Sequence, residues 1–191
     1  MPAPASTLSL SAARVADAPA LSTLMTETFL AAYGDVAPEA SLRAHIDACY
    51  AAERVAAWLE QGRIEIWRLR DGDTDAGYLQ LGLGVASPPT LKGLRALEVQ
   101  RCYLRPEYIG GGAGALLMHQ AQQRVRDLEA DALFLSVYQK APRAIRFYEK
   151  HGFRIAAPVV YYLADIPFND YQMTWVRPDA CAACGASGRT P

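Results

Sequence analysis

Residues Leu97–Leu117 read LEVQRCYLRPEYIGGGAGALL, and the order of three parts within this stretch decides the fold. The first part, Leu97–Leu104, carries the β-branched and aromatic side chains that are typical of an extended segment. Pro106 closes that segment, because proline donates no hydrogen bond to a strand and favours extended geometry in the residue before it. Four glycines then fall within five positions, immediately before a helix-forming run that begins at Ala115. The stretch therefore predicts a strand, a glycine turn and a helix, in that order.

The glycine turn predicts an anion site, because it exposes backbone N–H groups at the positive end of a helix. A P-loop needs a lysine and a serine or threonine after its last glycine, whereas this chain has Ala115 and Leu116. The dinucleotide pattern G-x-G-x-x-G/A is matched by Gly110, Gly112 and Ala115, but it requires an acidic residue after the next strand. That strand, predicted at Leu133–Val137, is followed by the residues YQK, so the dinucleotide pattern is incomplete.

A third pattern combines the glycine turn with a later block, Ala144–Phe153, which reads AIRFYEKHGF. With the preceding strand, these two motifs resemble the GNAT superfamily of acyl-CoA-dependent N-acetyltransferases. The family turn reads Gln/Arg-x-x-Gly-x-Gly/Ala, and the chain keeps both small positions but has Ile109 in place of the leading Gln/Arg. The later block usually reads Asn-x-x-Ala-x-x-Phe-Tyr-x-x-x-Gly-Phe, and only Ala141, in place of the asparagine, departs from it. The resemblance covers roughly residues 8–177, and two motifs at the right separation are much more specific than either alone.

The resemblance implies an α/β fold with a mixed, mostly antiparallel sheet of six to seven strands, flanked by helices and splayed after the fourth strand. It implies a single acetyltransferase domain over residues 1–177. Residues 178–191 are small and polar with glycine and proline, which predicts a disordered tail.

The residue pattern predicts most elements in chain order. Strands are expected at Leu8–Val15, Ile64–Leu69, Gly77–Val85, Leu94–Leu104, Leu133–Val137, Phe153–Ala157, Val159–Leu163 and Tyr171–Val176. Helices are expected from an N-cap at Asp17 to Ala32, from Pro38 or Ser41 to Leu59, over residues 113–129, and from Pro142 to Gly152. In the fourth strand, simple alternation places Leu97, Val99, Arg101 and Tyr103 on one face. The fifth strand should run parallel to the fourth, because a helix connects them.

The resemblance also implies acetyl-CoA as the co-substrate and an amine as the acceptor, with transfer in a ternary complex. The positions that correspond to the cofactor site are Tyr103, Leu104, Ile109, Gly110, Gly111, Gly112, Ala113, Gly114 and Ala115. Tyr148 occupies the position of the tyrosine that donates a proton to the departing thiolate. Glu98 lies on the strand that resembles the substrate-lining strand, so it is the candidate proton acceptor, with a water chain or a plain ion pair as the alternatives.

The first two helices overlie the acceptor site in this family, which makes Tyr33, Asp35 and Tyr50 candidate substrate contacts; ordinary packing and capping would also explain them. The predicted activity is acetyl transfer to a primary amine of a small molecule or a protein. The alternative is a non-catalytic acyl-CoA-binding module on the same fold.

Composition narrows the remaining function classes. The 191 residues carry 19 basic and 20 acidic side chains, a net charge of -1, which argues against a general nucleic-acid surface. No apolar run approaches the ~18–20 residues of a membrane span, and no signal peptide is expected, so we expect a cytoplasmic protein without a membrane partner, monomeric or homodimeric. Cys49, Cys102, Cys181 and Cys184 are too few and too scattered for a disulfide framework, and the last pair lacks the two further ligands of a closed zinc site. We therefore expect reduced thiols and no metal.

Overall fold

A computed structural model describes residues 8–164 and 166–180 of the chain. Seven strands form one sheet in the order β1-β2-β3-β4-β5-β7-β6. The strands are β1 (Leu8–Ala12), β2 (Ile64–Asp71), β3 (Thr74–Gly82), β4 (Ala96–Leu104), β5 (Ala132–Tyr138), β6 (Arg154–Leu163) and β7 (Ile166–Val176). The helices are α1 (Ala18–Tyr33), α2 (Glu39–Cys49), α3 (Ala52–Gln61), α4 (Ala113–Asp127) and α5 (Pro142–Lys150). Residues 181–191, which include Cys181, Cys184 and most of the predicted tail, lie outside the described residues.

Pairing between β4 and β5 stops after three residue pairs, and this early stop divides the sheet. The two strands run parallel, as the connecting helix predicted, and Glu98–Phe134 is their last pair. Beyond it β4 continues beside β3 to Leu104, while β5 continues beside β7 to Tyr138. All other neighbouring strands are antiparallel. The predicted fold class, including the splay after the fourth strand, is confirmed.

A β-bulge at Gln100 changes which side chains of β4 share a face, and it corrects the simple alternation. Gln80 of β3 lies opposite Arg101, and the next residue of β3 lies opposite Val99, so Gln100 is the additional residue. A bulge of this kind shifts the alternation by one position. Val99 therefore faces one layer of the protein, whereas Arg101 and Tyr103 face the other.

Helices cover both faces of the sheet and bury two hydrophobic cores. On one face, α4 inserts an apolar stripe of Ala113, Leu117, Ala121 and Val125, all of which are buried. On the other face, α1 to α3 cover a second core that includes the α1 residues Leu21, Leu24, Met25 and Phe29. Each fully buried large apolar side chain contributes about 1.5–3 kcal/mol, so both amphipathic helices are held mainly by these contacts.

One helix and one strand in the N-terminal half have boundaries that differ from the prediction. The second predicted helix is two helices, because the chain leaves helical geometry at Tyr50 and buries that ring. The first strand ends at Ala12 instead of Val15. Asp17 occupies the N-cap position of α1, as predicted, but its side chain makes no capping bond: one carboxylate oxygen accepts from the backbone N–H of Arg14 at 2.8 Å, and the other pairs with Arg68.

The C-terminal strands are longer than predicted. One continuous strand, β6, passes through Pro158, where the sequence pattern indicated a break. It is an edge strand, so the missing N–H of proline costs no ladder bond on its open side. Strand β7 begins at Ile166 rather than Tyr171, because its first residues pair back onto β6.

Candidate active site

The glycine turn between β4 and α4 presents a row of unused backbone donors. Within the described chain, the N–H groups of Gly110 to Gly114 donate to no protein acceptor. The N–H of Ala115, which the sequence also suggested as a donor, is already bonded to the carbonyl of Gly112 at 3.0 Å. Five donors therefore converge at the first turn of a 15-residue helix, whose dipole favours an anion at this end.

Glycine is required in this turn for two different reasons. Gly110 and Gly112 have φ angles of +102° and +90°, in the left-handed region that other residues rarely adopt. Gly114 has an ordinary φ, but a Cβ at this position would lie 3.0 Å from the ring of Phe147. The absence of a side chain there allows α4 to approach α5, and it brings the two sequence motifs into contact.

A basic side chain reaches the turn from α5. The Nη2 atom of Arg143 would lie 3.8 Å from a Cβ built on Gly110. Arg143 is exposed and forms no ion pair with any described carboxylate. Ile109, which replaces the family's Gln/Arg, is also exposed, so Arg143 is the cation next to these N–H groups.

Tyr148 lies on α5, the helix that also carries Arg143. It is half-buried, and its ring contacts those of Phe147 and Phe153, with centroids 5.2 Å and 5.7 Å away. Burial, followed by the nearby Cys102 and Tyr33, raises the pKa of the phenol well above 10. Tyr148 therefore keeps its proton at neutral pH and can act as a hydrogen-bond or proton donor.

The two tyrosines predicted to contact the acceptor lie together on the α1–α3 face, whereas Asp35 is exposed on the loop after α1. Tyr33 is half-buried, and its ring lies 5.0 Å from that of Phe29 and 6.0 Å from that of Phe168. Tyr50 is buried, and its hydroxyl accepts a hydrogen bond from Nε of Arg101 at 3.3 Å. The cofactor candidates Tyr103 and Leu104 lie on opposite faces of the sheet. Tyr103 packs beside Tyr78 on the α1–α3 face, and Leu104 lies beside Gly114 on the α4 face.

A cavity of about 280 Å³ opens on this face next to Tyr33. It lies between the loop after α1, the end of β5 and the start of β7. Its lining consists of Val36, Tyr138, Gln139, Lys140, Ile166, Pro167, Phe168 and Asn169. The rings of Tyr138 in β5 and Phe168 in β7 are 5.2 Å apart, so the ends of these two strands form one wall of the cavity.

Glu98 lies where the pairing of β4 with β5 ends, at the base of the split between these two strands. Two side-chain amides hold it there. Its Oε2 accepts from Nε2 of Gln100 at 2.9 Å, and Oε1 of Gln100 accepts from Nε2 of Gln80 at 2.9 Å. Gln80 is fully buried, and its own carbonyl oxygen has no partner within the described residues. The bulge at Gln100 thus fixes the Glu98 carboxylate on the α1–α3 face.

A second carboxylate on this face, Asp170, was missed in the sequence. Its side chain is 6% exposed, and Oδ1 has no hydrogen-bond partner in the part of the chain that the structure describes. No described cation lies within 4.0 Å of it, and burial raises its pKa to about 6. Glu98 belongs to the last β4–β5 pair, with Phe134 of β5. Asp170 of β7 pairs with Tyr138, which lies four residues further along β5 than Phe134. Four strand residues span roughly 13 Å, which puts Asp170 near the level of Cys102 across the split.

The Cys102 thiol is a poor nucleophile in this site. Burial raises its pKa to about 12, so it stays protonated at neutral pH. Among the described residues, no group of three or more His, Cys, Asp or Glu side chains could hold a metal ion. No described helix is both long and apolar enough to cross a membrane.

Comparison with known proteins identifies the family. Residues 25–153, more than half of the chain, match the family model described as "Acetyltransferase (GNAT) family". The chain belongs to this family. An uncharacterised N-acetyltransferase of Mycobacterium tuberculosis is 35% identical over 158 residues, which cover 82% of this chain and 96% of that protein. This GNAT protein is therefore an acyltransferase.

Solved structures share the GNAT fold at low identity. The PaiA N-acetyltransferase of Thermoplasma acidophilum, determined in complex with coenzyme A, has a TM-score of 0.73 and 18% identity, covering 90% of this chain and 99% of that chain. The putative acetyltransferase YncA of Salmonella typhimurium, determined with acetyl-CoA, has a TM-score of 0.69 and 17% identity, covering 90% and 94%. Both proteins were thus captured with coenzyme A or its acetyl thioester on a fold like this one.

Three side chains of this site escaped the sequence analysis. Arg143 sits in a recognised block, but only the fold shows its proximity to Gly110. Arg101 was assigned to the wrong face, because a single-residue bulge leaves no periodic signal. Asp170 lies one residue before the predicted strand Tyr171–Val176, so its burial became visible only when β7 was found to begin at Ile166.

Asp170→Asn should stabilise the protein at neutral pH. Because the folded pKa is raised from 3.8 to about 6, the folded state binds more protons than the unfolded state between about pH 4 and 6, and stability falls as pH rises through that window. An asparagine does not titrate, so the free energy of unfolding at pH 7 should increase by up to about 3 kcal/mol, with little change at pH 4. Urea unfolding at the two pH values measures this difference.

The control is Asp127→Asn, for which the expected change in the free energy of unfolding has the opposite sign. Hydrogen bonds from Gln123 and Arg124 lower the pKa of Asp127, so this substitution should reduce stability at pH 7 rather than increase it. Equal stability of wild type and Asp170→Asn at pH 7 would show that the carboxylate has a partner in solution.

Proposed function

We propose that this GNAT protein transfers the acetyl group of acetyl-CoA directly to a primary amine, of a small molecule or of a protein, in a ternary complex. The observation that carries the proposal is that two groups of residues, one on each side of the sheet, lie next to the same split between β4 and β5. The glycine turn and Arg143 lie at the α4–α5 side, and the tyrosines and carboxylates lie at the α1–α3 side. Tyr148 lies beside the split and is influenced electrostatically by Cys102 and Tyr33.

The pyrophosphate of the cofactor is assigned to the turn. Five free N–H groups, the helix dipole and the Arg143 guanidinium supply complementary positive charge at one point. Arg143 supplies the cationic contact that Ile109 cannot make. The acyl thioester then extends from the turn toward the gap between β4 and β5, where the strands offer unpaired backbone groups beyond Glu98.

Replacing Gly112 with valine should weaken coenzyme A binding at least tenfold, ~1.4 kcal/mol. The branched side chain disfavours the left-handed backbone at this position and covers the N–H groups that face the phosphates. Calorimetric titration with coenzyme A measures the effect. Gly111→Ala is the matched control, because Gly111 has no positive φ and its Cβ would meet no atom within 4 Å. An unchanged dissociation constant for Gly112→Val would remove the turn from the cofactor site.

Amine attack requires a proton acceptor, because an alkyl amine near pKa ~10.4 is almost wholly protonated at neutral pH. Glu98, the candidate from sequence, lies at the base of the split and holds its position through Gln100. Asp170 lies further along, near the level of Cys102, and has a free oxygen. The level of Asp170 and its lack of a partner in the described chain favour it as the group that takes the proton, directly or through water.

Comparing Asp170→Asn with Glu98→Gln separates the two carboxylates. We expect the Asp170 variant to lose ~10²-fold in kcat/KM and the Glu98 variant to lose less than tenfold. Because Asp170→Asn should be more stable than the wild type, a loss of activity in that variant does not reflect unfolding. Steady-state kinetics with one acceptor measures both values, and the reverse order would assign the role to Glu98.

Expulsion of the coenzyme A thiolate requires a proton donor, and Tyr148 is assigned that role. Its raised pKa keeps the phenol protonated throughout the neutral range. The protonated Cys102 thiol argues for direct transfer rather than an acyl-enzyme. Nothing among the described residues favours the alternative of a non-catalytic acyl-CoA-binding module.

Tyr148→Phe should leave acetyl-CoA affinity nearly unchanged and lower kcat by ~10²-fold or more. The substitution removes one hydroxyl and keeps the ring contacts with Phe147 and Phe153. The assay screens primary amines with acetyl-CoA and follows release of free thiol; donors of different leaving-group pKa show whether thiolate expulsion limits the rate. Full activity of the variant with every donor would make Tyr148 a packing residue. Tight acetyl-CoA binding by the wild type without turnover of any amine would support the binding module.

A further inference from the structure

Arg101 differs from the other half-buried arginines of the described chain because it has no carboxylate partner. Arg68 pairs with Asp17 and Asp75, and Arg124 pairs with Glu65 at 2.7 Å. No described carboxylate lies within 4.0 Å of the Arg101 guanidinium, although the side chain is half-buried. Withdrawing a cation from water without a counter-ion is unfavourable, so the retention of Arg101 at this point calls for an explanation.

Aromatic contacts hold the guanidinium but use few of its donors. Its central carbon lies 5.2 Å from the ring centroid of Tyr50 and 5.4 Å from that of Trp58. Nε donates to the Tyr50 hydroxyl at 3.3 Å, while Nη1 and Nη2 donate to no acceptor in the described chain. The edge formed by these two nitrogens is the fork that matches the two oxygens of a carboxylate.

The position of this fork is on the acceptor side of the sheet. Arg101 faces the α1–α3 layer, whereas α4, which follows the glycine turn, covers the opposite face. Its charge acts on residues of three separate elements. Next to burial, it is the main influence on the pKa of His45 in α2 and of Tyr161 in β6, and it also acts on the pKa of Tyr33 in α1, after burial, the Tyr103 hydroxyl and Asp170. Burial and Arg101 both lower the pKa of His45, so this histidine adds no positive charge at neutral pH.

We propose that the acceptor amine carries a carboxylate and that the free edge of Arg101 binds it. The anionic groups of coenzyme A are assigned to the turn after β4, so the anion at Arg101 belongs to the second substrate. The class this selects is amino carboxylates, such as amino acids and short peptides with a free carboxyl end, over polyamines and neutral amines. The inference rests on the proposed function in placing the acceptor on the α1–α3 face.

Arg101 also suits the reaction on electrostatic grounds. A fixed positive charge near the amine disfavours its protonated form and so raises the neutral fraction that can attack the thioester. The same charge offsets the repulsion between Asp170 and the substrate's carboxyl group. Arg101 and Asp170 are close enough for this, because both act on the pKa of Tyr33, in opposite directions. One arginine thereby orients the acceptor and assists its loss of a proton.

The test measures binding rather than turnover, so it stands apart from the test of the proposed function. The protein is loaded with coenzyme A and titrated calorimetrically with product-like probes in matched pairs: N-acetylglycine, N-acetylalanine, N-acetylphenylalanine and N-acetylglycylglycine, each as the free acid and as the carboxamide. We expect the acid of at least one pair to bind tenfold or more tightly than its amide. Arg101→Gln should erase that preference, and Arg101→Lys, which keeps the charge without the fork, should retain only part of it.

Arg124→Gln is the control, because Arg124 is ion-paired to Glu65 and packs on α4 away from the cavity. It should keep the preference of the wild type. The proposal is overturned if no acid is preferred over its amide by the wild type, whether both bind or neither does, and this outcome does not depend on the folding of any Arg101 variant. Acid-selective binding combined with an absence of amine turnover would instead contradict the proposed function and leave the carboxylate site in place.

Discussion

The early end of pairing between β4 and β5 is the constraint on which the rest of the site depends. After Glu98 and Phe134 the two strands pair with other neighbours, so the centre of a seven-stranded sheet contains an opening. Strands that end their pairing inside a sheet leave backbone donors and acceptors unsatisfied, and such groups are rarely left buried without a partner. The opening is therefore suited to an extended polar ligand that supplies those bonds from both sides. The helix that joins the two strands begins next to the same opening, which is why the glycine turn and the opening lie together.

The two halves of the split differ in how their charges are balanced. Two other half-buried arginines are matched with carboxylates: Arg68 with Asp75, and Arg124 with Glu65. In the described part of the α1–α3 face, Arg101 and Asp170 are both withdrawn from water and neither has an ionic partner. Groups kept in this condition lower stability and are typical of functional sites, where a ligand completes the pairing.

Much of the fold could be predicted from the sequence, because its main signals are local. The glycine turn, the apolar stripe of α4 and the buried strand β5 follow from periodicity and from residues with special backbone geometry. The bulge at Gln100 could not be predicted, since one additional residue in a strand resembles ordinary variation in the pattern. The juxtaposition of Arg143 with Gly110, or of Asp170 with Tyr33, depends on which elements become neighbours. Such contacts join residues far apart in sequence, and no periodic signal encodes them.

The bulge in β4 also affects how the length of this strand can change during evolution. In a regular strand, loss of one residue turns every later side chain to the opposite face. At the bulge, Gln100 and Arg101 occupy the space of one residue opposite Gln80. Deleting Gln100 would therefore restore a regular ladder while Arg101, Cys102 and Tyr103 keep their faces. Because of the bulge, β4 can lose one residue without changing the faces of the residues that follow. Relatives that lack this residue can still present the same side chains to the α1–α3 layer, although they lose the amide that positions Glu98.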